Sequence, residues 1–138
     1  MLFRSESTVS GGTAVSITAA TRVFCIGDYW DSYGGLAIAG DIEEVTLANV
    51  TASAANWVAY SSGAVRSCIL SSCQVQPSGF GVIWPAANIP SAGLLIDGCH
   101  FNRASGAIWS GFSEVTARVN VKAVSHAAGL ESETPIVP

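Results

Sequence analysis

The chain has 138 residues, of which 49% are hydrophobic and 12% charged, with a net charge of -4 and a single lysine, Lys122. That length suits one domain with one core, and that composition excludes disorder. There is no basic stripe for a nucleic-acid partner, and no apolar run reaches the roughly 18 residues of a membrane span, since Arg22 interrupts the best candidate.

Along the chain, "MLFRSESTVSGG" reads as an N-terminal arm over 1–12, apolar and basic at Leu2, Phe3 and Arg4, without the apolar core of a signal peptide. "TAVSIT" at 13–18 alternates and predicts a strand. A repeat then begins. "LANVT" at 47–51, "LSSCQ" at 70–74, "IDGCH" at 96–100 and "VKAVS" at 121–125 each carry a large apolar residue, two small or polar residues, then Val or Cys, and "VFCIG" at 23–27 fits as an earlier, poorer copy. Their anchors Val23, Leu47, Leu70, Ile96 and Val121 are spaced by 24, 23, 26 and 25 residues. A second match follows each anchor: "GLAIAG" 35–40, "WVAY" 57–60, "GVIW" 81–84, "GAIW" 106–109 and "AAGL" 127–130.

The units alternate apolar and polar residues and are rich in Val, Ile, Thr, Ser and Gly, which predicts short strands and not helices. Two or three strands per unit describe one coil of a right-handed parallel β-helix. One coil cannot bury its inner face alone, but stacked coils share an interior. The expected fold is therefore all-β: a β-helix domain over 13–130 of about five coils, about 24 Å tall at about 4.8 Å per coil, with a tail over 131–138. The inward columns are expected to be Leu47–Leu70–Ile96–Val121 and Val50–Cys73–Cys99–Val124, with Asn49, Ser72, Gly98 and Ala123 sharing a corner.

Two loops are expected to interrupt the coils. "DYWDSYGG" at 28–35 carries Trp30 and Tyr33 between acids, and "PAANIPSAG" at 85–93 is an extended excursion that accounts for the longest unit. Tyr60, Trp84 and Trp109 fall at matching places of successive coils. If Ala59, Ile83 and Ile108 point inward, these rings form an outward stripe, suited to an oligomer seam or to stacking on sugars; a shift of one residue would put them in the core instead. With Trp30 and Tyr33 they are the candidate interface residues.

The segment "LLIDGCHFNRASGAIW" at 94–109 gathers Asp97, Cys99, His100 and Arg103. In the β-helix reading Asp97 and His100 alternate outward, Asp97 beside Lys122 in an inter-coil ion pair, and His100 beside Gln74 and Ser125. The equivalent positions hold Ala48, Ser71 and Lys122, so the carboxylate pair of a glycoside hydrolase is missing. Cys68, Cys73, Cys99 and His100 lack zinc-knuckle spacing, so no metal or other cofactor is expected. Cys73 and Cys99 would lie near the disulfide range of about 4.4–6.8 Å between Cα atoms, but parallel, same-facing side chains favour buried thiols.

The coil pattern of 94–109 resembles that of pectate-lyase-like β-helix proteins and of trimeric bacteriophage tailspikes. The acid clusters of polygalacturonases and the calcium-binding Asp and Arg pattern of pectate lyases are absent, and those β-helices are several times longer. The resemblance implies a non-enzymatic structural protein of the virion: a homotrimeric knob or cement protein that decorates a phage capsid, with the major capsid protein as partner and Leu2, Phe3 and Arg4 as a docking arm. A tailspike or receptor-binding module for host surface polysaccharide is the alternative. Neither reading involves nucleic acid or a membrane.

Overall fold

The computed structural model describes residues 2–4, 8–10, 13–18, 20–31, 34–54, 56–77, 79–102, 108–113 and 115–126. The seventeen strands among these residues form three sheets in which every pairing is parallel and joins one coil to the next. The chain is thus a three-sided parallel β-solenoid.

Sheet A contains β1 (Leu2–Arg4), β4 (Ala20–Ile26), β7 (Ile42–Ala48), β10 (Val65–Ser71), β13 (Leu94–Asp97) and β16 (Val119–Lys122), stacked in that order. Sheet B stacks β2 (Thr8–Ser10), β5 (Tyr29–Asp31), β8 (Thr51–Ala54), β11 (Gln74–Pro77), β14 (His100–Phe101) and β17 (Ser125–His126). Sheet C stacks β3 (Thr13–Ile17), β6 (Gly34–Ala39), β9 (Val58–Ser62), β12 (Val82–Ile83) and β15 (Trp109–Ser110). The expected N-terminal arm is therefore part of the solenoid: Leu2, Phe3 and Arg4 pair with Phe24, Cys25 and Ile26. The expected loop at 28–35 is likewise built into the wall, since Tyr29–Asp31 pairs with Thr8–Ser10 and with Thr51–Ser53.

The predicted columns hold. Leu70 sits in register with Leu47 and Ile96, and Ile96 with Val121. Cys25, not Val23, continues this column, because Val23 pairs with Val45; the first repeat copy is offset by two residues. Val50, Cys73, Cys99 and Val124 are all buried, and the amides of Gln74, His100 and Ser125 donate hydrogen bonds to the carbonyls of Val50, Cys73 and Cys99. Asp28 heads that column, its carbonyl accepting from the Thr51 amide, and it is the buried charged residue among those described.

Between sheets A and B the backbone turns through the left-handed region on every coil: Gly27, Asn49, Ser72, Gly98 and Ala123 have φ of 71°, 54°, 52°, 67° and 48°. Only a left-handed residue re-aims the chain within one position, and glycine does so without a Cβ penalty. This explains the small and polar residues at that corner.

The two columns stack like sizes, whereas elsewhere the interior pairs unlike sizes across coils. Trp30 lies in register with Ala52, and a Cβ on Gly81 would come within 2.7 Å of the Phe101 ring. Replacing Leu70, fully buried, with Ala is expected to cost about 2–5 kcal/mol in chemical denaturation. At the corner the sign reverses: Ala123→Gly is expected to raise stability by roughly 0.5–1 kcal/mol, the relief of left-handed strain exceeding the added chain entropy. A loss of stability in Ala123→Gly would contradict the strained corner.

Candidate functional site

The three outer faces differ in chemistry, and the core differs from the expected interface. Trp30, Trp84 and Trp109 are 1%, 0% and 2% exposed, so they are core residues and cannot form an outward stripe. The alternation in sheet C runs one residue away from the outward reading: Val58 and Val82 face inward, while Ala59 and Ile83 stand half-exposed. Trp109 moreover pairs with Val82, and not with Trp84. Tyr60 is half-buried and stacks on Trp84 at 5.1 Å between ring centroids. Its hydroxyl donates to the Gly63 carbonyl at 2.6 Å, and Trp84 Nε1 donates to the Asn88 carbonyl at 2.7 Å. Trp57, Phe101, Trp109 and Phe112 form a second aromatic chain inside the coils. Tyr33 and Arg103 lie outside the described residues.

The excursion at 85–93 is folded down onto the wall, and so is not an extended arm. It contains one 3-10 turn at Ala86–Asn88 and buries Ile89 and Pro90. Arg118 clamps it, donating to the Pro90 and Ile89 carbonyls at 3.2 and 3.3 Å. Beside it an open groove of about 1170 Å³ is lined by Asp41, Glu43, Tyr60, Arg66 and Asn88 among others. Its carboxylates are engaged: Asp41 accepts the Ala64 amide at 2.8 Å, and Glu43 faces Arg66 at 3.8 Å.

Outward on sheet A, Phe24, Thr46, Ile69, Leu95 and Asn120 share one column. The first four are half-buried, and Ile26 nearby is 43% exposed. A recess of about 530 Å³ opens beside Ile69 and Leu95. The ion pair Arg22–Glu44, at 3.6 Å, flanks this apolar stripe. Asp97 and Lys122 are in register on the same face, but their charged groups do not come within the 4.0 Å of an ion pair. A solvated lysine gains too little from an exposed partner to give up its freedom.

The outer face of sheet B is polar. Tyr29, Thr51, Gln74, His100 and Ser125 form one column, as expected for the last three. His100 Nδ1 lies 2.7 Å from Ser125 Oγ and Nε2 lies 3.1 Å from Asn102 Oδ1. A shallow cleft beside them is lined by Tyr29, Thr51, Ser53, Gln74, Gln76 and Asn102, among others.

All four cysteines are free and buried, while His100 points the other way through the wall, so a Cys–His metal cage has no geometric basis. Among the described residues no three His, Cys, Asp or Glu side chains gather as metal ligands. Burial, and then the charge of Asp28, push the Cys25 thiol up to about 12. Burial alone raises Cys68. Cys73 is raised first by its hydrogen bond to Cys99 and then by burial.

These thiols have a solution signature. Unfolded cysteines ionise from about pH 8.5, whereas folded Cys25 keeps its proton to about 12. The stability contributed is complete below the unfolded value and is lost as pH rises toward the folded one. The urea midpoint is expected to fall steadily through that window, and a thiol reagent at mildly alkaline pH should modify the cysteines only after denaturation. Fast labelling of the folded chain would contradict the inward columns. No family model, curated protein or solved structure matches the chain.

Proposed function

We propose that the chain is a structural protein that associates with copies of itself through the outer face of sheet A. On its resemblance to trimeric tailspike-type β-helices, it would serve as a homotrimeric knob or cement protein on a bacteriophage capsid. The observation that carries self-association is the outward apolar column of Phe24, Ile69 and Leu95 beside exposed Ile26. Each such side chain stabilises an interface by about 25 cal/mol per Å² of apolar surface removed from water. The flanking Arg22–Glu44 pair supplies charges of both signs at the rim of the seam. In this reading the partners are other copies of the chain and a shell protein of the virion.

A second reading, a module that binds host surface polysaccharide, is favoured by the neutral hydroxyl and amide ladder of sheet B and by Tyr29, 47% exposed at its cleft. Such a face would pair sugar hydroxyls with Thr51, Gln74 and Gln76 and stack a ring on Tyr29.

Sedimentation and native mass measurement test the first reading. The wild-type chain is expected to be trimeric, and Ile69→Lys with Leu95→Lys should weaken assembly by more than tenfold while leaving the thermal midpoint of the monomer within a few degrees. A monomeric wild type at high concentration would overturn it. Retention on a glycan array, lost in Tyr29→Ala, would promote the second reading.

A further inference from the structure

We infer that Ser125, His100 and Asn102 form a nucleophile, base and orienting group able to cleave a short-acyl ester on the outer face of sheet B. This goes beyond the structural reading and does not depend on it. An activated serine requires a base within hydrogen-bond reach and a third group holding that base. Both contacts are present: Ser125 Oγ at 2.7 Å from His100 Nδ1, and Asn102 Oδ1 at 3.1 Å from Nε2. One tautomer satisfies both. The imidazole carries its proton on Nε2 and donates it to Asn102, which leaves Nδ1 to accept the Ser125 hydroxyl.

The fold makes this arrangement directly. In-register parallel strands place His100 beside Ser125 on the same face, and Asn102 follows two residues later on the outward side of the same coil. β17 is the last strand of sheet B among the described residues. The Ser125 amide donates to the Cys99 carbonyl at 3.1 Å. By the alternation of a parallel ladder the next amide, that of His126, points to the opposite edge. We assign that amide the role of main-chain donor to a developing oxyanion.

In the first step the Ser125 proton passes to His100 Nδ1 while Oγ bonds to the acyl carbon of the ester. The ester C–O bond breaks, and the alcohol departs with that proton. In the second step water gives a proton to Nδ1, its oxygen bonds to the acyl carbon, and the acyl–Oγ bond breaks. The carboxylic acid leaves and Ser125 recovers its proton. The site is open and shallow, so it suits a short acyl group carried on a large or extended alcohol, and the neutral hydroxyl and amide side chains beside it suit a hydroxylated carrier.

The test uses the full chain, p-nitrophenyl acetate and a fluorophosphonate probe. The wild type is expected to hydrolyse the ester and to take up one label, on the peptide containing Ser125. Ser125→Ala should lose the label and lower the rate by about 10²–10⁴-fold, the usual contribution of a positioned base and its nucleophile. His100→Gln keeps a hydrogen-bonding side chain and should lose the same activity. Asn102, a positioning residue, should give a rate lowered in Asn102→Ala and restored in Asn102→Asp. All are outer-face substitutions, and their thermal midpoints should match the wild type. Equal rates in wild type and Ser125→Ala, or a label elsewhere than Ser125, would overturn the assignment.

Discussion

Each coil of this chain must bring the backbone back to the same lateral position, one strand spacing higher, so that every amide finds a carbonyl on the next coil. Parallel pairing between coils is the constraint from which the rest of the structure follows. It turns a spacing of 23 to 26 residues between anchors into vertical columns. It also fixes which side chains face the interior, because a slip of one residue would invert a wall. The left-handed corner at Gly27, Asn49, Ser72, Gly98 and Ala123 is what lets the chain meet that constraint between sheets A and B. The turn recurs at each coil, with strain at Asn49, Ser72 and Ala123 and none at the two glycines.

Much of the fold was legible because sheet A carries long, well-alternating strands. The anchors Leu47, Leu70, Ile96 and Val121 are seven-residue or four-residue strand members with clear inward parity. In sheet C the strands at 13–17, 34–39 and 58–62 were legible, but the facing of the later ones was not. β12 and β15 are two residues each, too short for alternation to show which residue faces in. The motifs "GVIW" and "GAIW" look alike, yet Trp109 lies on Val82 and is displaced by two from its apparent counterpart Trp84. Similar words at similar spacing gave a false column, and with it an outward stripe that is in fact core. The N-terminal strands were missed for a related reason. β1 and β2 are three residues each, and their sequences read as strand only when paired with β4 and β5.

The candidate site residues divide in the same way. His100 and Ser125 were predictable neighbours, being 25 positions apart in consecutive copies. Asn102 was not, because it follows the strand and acts through a side-chain contact that periodicity does not report. The apolar column Phe24, Ile69 and Leu95 was hidden behind the tryptophans. Tryptophan draws attention as a surface residue, whereas here four tryptophans fill the wide interior of the coils, and ordinary branched side chains are left outside.

The unlike sizes stacked along the axis have a consequence for how such a chain could lengthen. Trp30 stands over Ala52, and Phe101 occupies the space that a side chain on Gly81 would need. At these positions neighbouring coils are complementary and not interchangeable, so inserting a copy of one coil would leave a collision or a void there.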